Sequence, residues 1–482
     1  MMKGRRSTST TLSLLLIIFL LSAIHHGFVF VGAISETLRL QLVHKYSPHL
    51  NGRIGSLMNK TEIEIIKELH LRDMIRHQMS FPNRDHDQIT RRKVSEKSSI
   101  EMPLHSGFDL LSGLYWVEVK IGTPPRSFML AADTGSDLTW INCVYGGTLR
   151  KENKPEMLKR KTKRVFRADL SLTFKPVPCS HDMCKLGLSH MNSDDKCPTP
   201  LSPCRYIYSY LGGNVVEGFF GYDTITAPLT IGSTTLPNVT IGCTESTIKP
   251  LEGDGVLGLG FGDFSFTETI VAYKFAGKFS YCLMNHRSHA SVLSYLTFGA
   301  DNQTIRRSMK YTELVMRESP NNFYGVKVVG ISIGGSLLNI PSQVWDIKRG
   351  AGVILDSGST NTWLALPAYK AVMAEMTKAL SKYKSVVIDG IPFEFCFKAT
   401  GFNESSVPRL AFHFADGGRF QPPVRNFVLN AYATDESVKC LGFVPADGEQ
   451  SIIGNQMQQN VLWELDILRG TVGFAPSSCT LD

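Results

Sequence analysis

Two short stretches of the chain share one pattern: Asp133-Thr134-Gly135-Ser136 and Asp356-Ser357-Gly358-Ser359. Each follows an apolar run typical of a strand, at residues 128–132 and 352–355, and each leads into a second apolar run that ends at a tryptophan. One such stretch is ordinary turn chemistry, because Asp and Gly are common in turns. Two copies in matched settings instead predict two related lobes that each present one carboxylate on a tight turn.

At these residues the chain resembles the pepsin-like (family A1) aspartic proteases, and more closely their plant nepenthesin-like branch. The resemblance extends over residues 115–479, most of the chain beyond its first hundred residues. It implies an all-β, bilobal acid protease fold, with two related β-barrel-like lobes and a cleft between them. Four further segments match the family: residues 115–125, 254–260, 452–455 and 473–476.

The resemblance implies that Asp133 and Asp356 are the catalytic pair. Two adjacent carboxylates can share one proton, so that one accepts a proton from water while the other hydrogen-bonds the scissile carbonyl, as in the aspartic proteases. Six neighbouring residues are expected to support the pair by bracing the turns or by donating hydrogen bonds to the carboxylates. These residues are Thr134, Gly135, Ser136, Ser357, Gly358 and Ser359.

Residues 204–214 resemble the hairpin that covers the cleft in this family, called the flap. Tyr210 matches the flap tyrosine and Trp140 its expected hydrogen-bond partner, while Gly212 and Gly213 lie at the flap tip. Leu211 departs from the family pattern, which has glycine there, and it lacks glycine's backbone freedom. The alternative is that these tyrosines are ordinary alternating strand residues.

The first 98 residues are expected to be removed. Three basic residues precede a largely apolar run at residues 12–24, and small or apolar residues at 31–33 lie before a plausible cleavage point. This pattern is typical of a secretory signal peptide at residues 1–33. A membrane anchor is the alternative, although no other apolar stretch is long enough to span a bilayer. Residues 34–98 are expected to be an inhibitory prosegment, the alternative being an N-terminal extension of the first lobe.

The remaining chain is rich in short Val, Ile, Phe, Tyr and Thr runs broken by Gly and Pro, an all-β pattern. We expect an N-terminal lobe at residues 99–310 and a C-terminal lobe at 311–482. A cysteine-containing insertion at residues 145–205 carries a basic tract at 150–167. That tract is either a solvated loop, a contact with an acidic partner or a processing site.

The net charge of +8 does not indicate nucleic-acid binding. Residues 1–98 hold 15 Lys and Arg against 8 Asp and Glu, a net of +7, so the rest of the chain is almost neutral at +1. Most of the net positive charge therefore lies in the part of the chain that is expected to be removed.

The ten cysteines predict disulfides in an oxidising compartment, since their number is even and their spacing is irregular. Zinc is the weaker alternative, because no paired histidines accompany them. By resemblance we expect Cys396–Cys440 and Cys282–Cys479, and, for the other lobe, Cys143–Cys243, Cys179–Cys204 and Cys184–Cys197. Four Asn-x-Ser/Thr sequences are candidate glycosylation sites: Asn59, Asn238, Asn302 and Asn403.

Together these features predict a secreted aspartic endopeptidase, made as a zymogen, that acts on proteins or peptides at acid pH. We expect a monomer without metal or organic cofactor, held inactive by its own prosegment, with no nucleic-acid partner and no stable membrane anchor. The vacuole is an alternative to the extracellular space. The alternative is a non-catalytic secreted binding or inhibitor protein with the same fold. The intact aspartate pair argues against this alternative.

Overall fold

The computed structural model describes residues 36–38, 98–106, 113–146, 164–185, 197–210, 214–228, 233–249, 251, 253–262, 265–286, 288, 294–299, 308–316, 323–431 and 436–479. The predicted signal peptide and nearly all of the predicted prosegment lie outside these residues. So do most of the basic tract, the candidate glycosylation sites Asn59 and Asn302, and the flap-tip residues Leu211, Gly212 and Gly213.

The first half of the chain contributes thirteen of the described strands. They are β1 (Glu36–Leu38), β2 (Ser98–Ser106), β3 (Tyr115–Ile121), β4 (Arg126–Asp133), β5 (Trp140–Val144), β6 (Phe166–Arg167), β7 (Lys175–Pro176), β8 (Arg205–Ser209), β9 (Val215–Pro228), β10 (Ser233–Ile248), β11 (Gly255–Gly258), β12 (Lys278–Cys282) and β13 (Ser294–Phe298).

The second half contributes sixteen more described strands. They are β14 (Lys310–Val315), β15 (Tyr324–Val326), β16 (Val328–Ile333), β17 (Ser336–Leu337), β18 (Val353–Asp356), β19 (Thr362–Leu364), β20 (Ser385–Val386), β21 (Cys396–Lys398), β22 (Leu410–Phe414), β23 (Arg419–Phe420), β24 (Val428–Asn430), β25 (Val438–Leu441), β26 (Phe443–Pro445), β27 (Ser451–Gly454), β28 (Val461–Asp466) and β29 (Thr471–Pro476).

Helices are short and few in the described residues. The α-helices are α1 (Ala272–Lys274), which continues a π-helical turn at Thr267–Val271, α2 (Leu366–Ala379) and α3 (Asn455–Gln458); 3₁₀ turns lie at Ala168–Leu170, Ser342–Trp345, Ile347–Arg349, Glu404–Ser406 and Val424–Asn426. None of the described helices is long and apolar enough to cross a lipid bilayer.

Each half builds the same arrangement of strands around its aspartate-bearing turn. In the first half, β4 ends at Asp133 and runs parallel to β11, which also pairs antiparallel with β5. In the second half, β18 ends at Asp356 and runs parallel to β27, which pairs antiparallel with β19. An earlier strand pairs antiparallel with each turn-bearing strand, β3 with β4 and β15 with β18. The prediction of two related β lobes is therefore confirmed.

Six antiparallel strands from both halves join the lobes in the order β2, β13, β12, β28, β29, β14. The junction between halves is the β12–β28 pair, where Lys278 is opposite Asp466. The Lys278 Nζ atom lies 3.0 Å from Asp466 Oδ2 and 3.7 Å from Glu464 Oε1, and both carboxylates are nearly fully buried. These two buried carboxylates therefore share one cation, as buried charges require.

Strand β1, from within the predicted prosegment, pairs in parallel with β2 at residues 98–100. Strand β2 begins at Ser98, the last residue of the predicted prosegment. Residues Ile100 to Leu104 of β2 then pair with β13, and Leu104 to Ser106 pair with β3.

Five disulfides are present, and three match the expected pairs: Cys143–Cys243, Cys282–Cys479 and Cys396–Cys440. The expected pairs Cys179–Cys204 and Cys184–Cys197 are wrong, because the structure joins Cys179 to Cys197 and Cys184 to Cys204. The physical reason is burial. Cys184 and Cys204 are both completely buried and bond to each other, whereas the two partly exposed cysteines form the outer bridge.

Two candidate glycosylation sites lie within the described residues. Asn238 is exposed at an irregularity of β10 with a left-handed backbone, φ 58°. Asn403 is exposed, and its side chain accepts a hydrogen bond from the Ser405 amide. Both positions are accessible to a glycan.

The two insertion disulfides close loops of nearly equal length, with separations of 18 and 20 residues. Chain entropy alone therefore predicts a similar loss of about 3 kcal/mol for removing either one. We expect Cys184→Ser with Cys204→Ser to lower the free energy of unfolding by about 1–3 kcal/mol more than Cys179→Ser with Cys197→Ser, because it leaves two hydroxyls in a buried apolar cluster. Denaturant unfolding of both double variants measures this, and a larger loss from the outer pair would contradict the burial argument.

Candidate active site

The first turn holds the Asp133 carboxylate with two donors from its own loop. The Gly135 amide donates to Oδ1 at 2.9 Å, and the Ser136 hydroxyl donates to Oδ2 at 2.6 Å. Only 4% of Asp133 is exposed to solvent. The carboxylate is therefore fixed in direction by bonds to both of its oxygens, as a preorganised catalytic group requires.

The second turn repeats the same contacts around Asp356. The Gly358 amide donates to Oδ1 at 2.7 Å, and the Ser359 hydroxyl donates to Oδ2 at 2.6 Å. Asp356 is 3% exposed. The structure thus places the glycine and serine of each motif where the sequence resemblance implied, one on each carboxylate oxygen.

The two turns are bonded to each other through the residue after each aspartate. The Thr134 amide donates to the Ser357 Oγ atom at 3.0 Å, and the Ser357 amide donates to the Thr134 Oγ1 atom at 2.8 Å. The same hydroxyls donate onward, Ser357 Oγ to the Ala132 carbonyl at 2.9 Å and Thr134 Oγ1 to the Leu355 carbonyl at 3.4 Å. Each buried hydroxyl is therefore used as both acceptor and donor across the lobe boundary.

Gly135 lies directly against the opposite aspartate. A Cβ atom at this position would be 2.6 Å from both Cγ and Oδ1 of Asp356, closer than any side chain allows. Only glycine fits between the two turns here. The structure therefore brings the carboxylate of the second lobe against the turn that carries Asp133.

A strand crosses behind each turn at a second glycine. Gly258 of β11 pairs with Asp133, and Gly454 of β27 pairs with Asp356. A Cβ atom at Gly454 would lie 2.0 Å from the Asn361 carbonyl oxygen. These are the glycines of the matching segments 254–260 and 452–455, and the close backbone approach explains why those segments contain them.

The strands on either side of the predicted flap tip pair with each other, and Tyr210 contacts Trp140. The Trp140 Nε1–H group donates to the Tyr210 hydroxyl at 2.6 Å, with the ring centroids 6.4 Å apart. Strands β8 and β9 form the hairpin, and the Tyr210 amide donates to the Asn214 carbonyl at its closing end. The Asn214 side-chain amide donates to the Lys249 carbonyl, which ties the end of the hairpin to the end of β10.

A buried tyrosine lies near the second aspartate. Burial raises the pKa of Tyr281 far above its ordinary value, and the nearby Asp356 charge raises that pKa further. The Tyr281 hydroxyl donates to Gln458 Oε1 at 2.6 Å. Tyr281 therefore stays neutral at acid and neutral pH, and it adds no second negative charge beside the aspartate.

Sequence reasoning missed Asn455, the residue that follows Gly454. Its Nδ2 atom lies 2.6 Å from the Gly113 carbonyl oxygen and 3.0 Å from the Ser357 carbonyl oxygen, and its Oδ1 atom lies 3.2 Å from His286 Nε2. Asn455 is completely buried. The sequence signal was its place in a matching segment, but nothing local predicts what its side chain contacts.

One group of three possible metal-ligating side chains occurs in the described part of the chain: Cys179, Cys184 and Cys197, with sulfur atoms within 4.8 Å of one another. All three are in disulfides, so none supplies a thiolate. The chemistry of the aspartate pair needs no metal, because two carboxylates suffice to move the protons.

Family comparisons match the chain in two consecutive parts. The family model described as xylanase inhibitor N-terminal matches residues 115–300, and the one described as xylanase inhibitor C-terminal matches residues 323–476.

Named relatives cover most of the chain. A protein named Aspartyl protease AED1 from Arabidopsis thaliana is 31% identical over 442 residues, covering 86% of each chain. Aspartic proteinase nepenthesin-1 from Nepenthes gracilis is 27% identical and covers 94% of this chain and 96% of its own. The predicted resemblance to the plant nepenthesin-like branch is confirmed.

Solved structures with the same fold share little sequence with this chain. The crystal structure of edgp has a TM-score of 0.64 at 19% identity, covering 79% of this chain and 95% of that one. Basic 7S globulin from soybean has a TM-score of 0.60 at 17% identity, covering 79% and 97%. These two likenesses support the bilobal fold.

The contact at Gly135 gives a direct test of the site geometry. Gly135→Ala would place Cβ 2.6 Å from the Asp356 carboxylate. We expect the free energy of unfolding to fall by about 1–3 kcal/mol, typical of forced overpacking in a closed site. Gly448→Ala is the matched control, since a Cβ atom there meets nothing within 4 Å. Thermal or denaturant unfolding measures both, and equal stabilities would show that the turns are not in contact.

Proposed function

The chain belongs to the pepsin-like aspartic protease family, and from this premise we propose that it is an endopeptidase that hydrolyses peptide bonds with a water activated between Asp133 and Asp356. The observation that carries the proposal is the reciprocal bonding of Thr134 and Ser357, which holds two equivalent, buried aspartate turns together. Each aspartate keeps its glycine amide and its serine hydroxyl as donors.

The proposed reaction follows from two carboxylates that share one proton. The ionised carboxylate takes a proton from water as the water oxygen attacks the scissile carbonyl carbon, and the protonated carboxylate hydrogen-bonds the carbonyl oxygen. The tetrahedral intermediate then collapses as the amine leaves with a proton from the pair. No bond forms between enzyme and substrate. The pair titrates as one unit, so the acid and base roles belong to the pair.

The rival function is a non-catalytic binding protein on the same fold. The matching family models carry the description xylanase inhibitor, and solved structures of the fold include a seed globulin. Inhibition by such a protein would not need two intact aspartates with their full set of donors. The presence of both sets at Asp133 and Asp356 favours catalysis.

Secretion and zymogen activation are part of the proposal. Five disulfides within the described residues suit an oxidising compartment, and residues 1–33 have the pattern of a signal peptide. We propose that residues 34–98 act as an inhibitory prosegment, with extracellular space as the destination and the vacuole as the alternative. A chain that begins at residue 34 and is active at once without exposure to acid would argue against inhibition by this segment.

The catalytic proposal predicts acid cleavage that depends on both aspartates. Processed protein should cleave a denatured substrate between about pH 3 and 6, the acid range in which the proposed protease would act. Asp133→Asn or Asp356→Asn should lower kcat by about 10²–10⁴-fold, the usual contribution of acid–base catalysis. Pepstatin should abolish the activity.

The matched control is Asp389→Asn, because Asp389 is exposed in the second lobe and serves no role in either turn. It should leave the cleavage rate unchanged. Folded, processed protein without acid cleavage would favour the binding function and redirect the search to a partner.

The Trp140–Tyr210 bond predicts a flap phenotype. Trp140→Phe keeps an aromatic ring but removes the donor to the Tyr210 hydroxyl. We expect kcat/KM to fall by about 3–10-fold, the equivalent of one hydrogen bond of about 0.5–1.5 kcal/mol. Tyr210→Phe should lower kcat/KM by about the same factor, and the double variant should lower it no further than either single variant does.

Trp345→Phe, which alters an indole of the other lobe, is the control and should leave kcat/KM unchanged. Independent, additive losses from Trp140→Phe and Tyr210→Phe would show that the bond does not order the flap.

A further inference from the structure

We propose that His286 is a positioning residue for Asp356, acting through Asn455 and the peptide group between Ser357 and Gly358. This inference rests on the proposed function, because it assigns a role to a residue behind the candidate catalytic turn. His286 lies in the loop after β12, is 7% exposed, and does not belong to either aspartate motif.

The contacts of Asn455 determine which way its amide points. Its Nδ2 atom lies within hydrogen-bond distance of two carbonyl oxygens, those of Gly113 and Ser357. Carbonyl oxygens only accept, so this atom must be the NH₂ group, and both of its hydrogens are used. The other side-chain atom, Oδ1, is therefore an acceptor.

The acceptor on Asn455 then determines the state of His286. The His286 Nε2 atom lies 3.2 Å from Asn455 Oδ1, so it must carry a hydrogen and donate it. Both the neutral Nε2–H tautomer and the imidazolium satisfy this requirement. The hydrogen bond can therefore persist at the acid pH at which the aspartate pair would act.

The Ser357 carbonyl belongs to the same peptide group as the Gly358 amide. The Asn455 Nδ2 group donates to the carbonyl oxygen of this peptide group at 3.0 Å. The Gly358 N–H of the same peptide group donates to Asp356 Oδ1 at 2.7 Å. Consecutive hydrogen bonds polarise one another, most strongly where the surroundings are dry. We call this sequence of contacts, His286–Asn455–Ser357–Gly358–Asp356, the rear hydrogen-bond chain.

Among the described residues, Asn455 has no side-chain hydrogen-bond donor as its counterpart in the first lobe. Gly258 and Gly454 pair with the two aspartates in equivalent registers, so Leu259 occupies the place in the first lobe that Asn455 has in the second. A leucine side chain can donate no hydrogen bond. The two aspartates therefore share the glycine and serine donors of their own turns but differ at this position behind the turns.

A buried tyrosine holds the His286 ring in place. The rings of Tyr115 and His286 are stacked, with centroids 4.7 Å apart and planes inclined by 22°. The Tyr115 hydroxyl donates to the Met284 carbonyl and accepts from Gln459 Nε2 at 2.9 Å. Burial raises the pKa of Tyr115 far above its ordinary value, so the tyrosine remains a neutral donor.

The kinetic test compares two substitutions of His286 that differ in whether the new side chain can donate a hydrogen bond to Asn455. His286→Leu removes the donor, and we expect kcat to fall about tenfold while KM changes less than about twofold, because His286 and Asn455 are both buried behind the turn. Tenfold corresponds to about 1.4 kcal/mol. His286→Gln can still donate to Asn455 Oδ1 and should restore at least about half of kcat.

The matched control is His413→Leu. His413 is a partly buried histidine on β22, which pairs with β16, and its Nε2 atom lies 2.7 Å from Ser332 Oγ. Its loss removes a similar hydrogen bond away from the aspartates and should leave kcat unchanged. Equal losses of kcat in His286→Leu and His286→Gln would overturn the proposal, as would a fall in His413→Leu that matches His286→Leu.

A second measurement is independent of catalysis. Labelling serine with ¹³C at the carbonyl and glycine with ¹⁵N selects Ser–Gly peptide groups, of which the sequence has three, at Ser106, Ser112 and Ser357. Ser106→Ala and Ser112→Ala assign the other two signals. The Gly358 amide proton should move upfield in His286→Leu, return in His286→Gln and stay fixed in His413→Leu.

The two measurements separate the two hypotheses. If the wild-type protein lacks acid peptidase activity but the Gly358 signal responds to His286 as described, the proposed function fails and the rear hydrogen-bond chain stands. If the enzyme is active but the Gly358 signal is the same in His286→Leu and wild type, the positioning role is wrong.

Discussion

The reciprocal hydrogen bonds between Thr134 and Ser357 are the constraint on which the rest of the site depends. Both hydroxyls are buried, so water cannot replace a lost partner, and each broken bond would leave an unsatisfied polar group. The two turns therefore have one relative position in which all four groups are satisfied. In that position Gly135 lies against the Asp356 carboxylate, and the strands that end at the aspartates converge on one point between the lobes.

The sheet that joins the lobes also stabilises this relative position of the two turns. Strands β12 and β28 come from different halves of the chain, and Lys278 bridges them to the buried carboxylates of Glu464 and Asp466. Removing either partner of such a buried set would leave an uncompensated charge, which costs several kcal/mol. A continuous sheet with its buried ion pair and the neutral hydroxyl pair between the turns thus both join the lobes. The turns need not hold the lobes together, and their bonds can serve to set the aspartate geometry.

Local sequence predicted most of the site, because the turn motifs determine contacts within four residues of each aspartate. The bond between Trp140 and Tyr210 was also foreseen, by family resemblance. Both insertion disulfides were mispredicted, since four cysteines within residues 179–204 allow three pairings and only the burial of each sulfur selects one. His286 was missed because it meets Asn455 across 169 residues, and no local pattern encodes that meeting.

Two nearly identical turns pose a physical problem for a pair that must share one proton. If the surroundings were also identical, the proton would have no preferred carboxylate, and the acid and base roles would not be assigned before substrate binds. The internal duplication supplies matching donors in front of Asp133 and Asp356. One difference behind them arises from a pair of equivalent positions, Leu259 and Asn455, with His286 bonded to the second. Because hydrogen bonds in series strengthen one another in a dry interior, a change at a single such position is enough to make the two halves electrostatically unequal without disturbing the turns themselves.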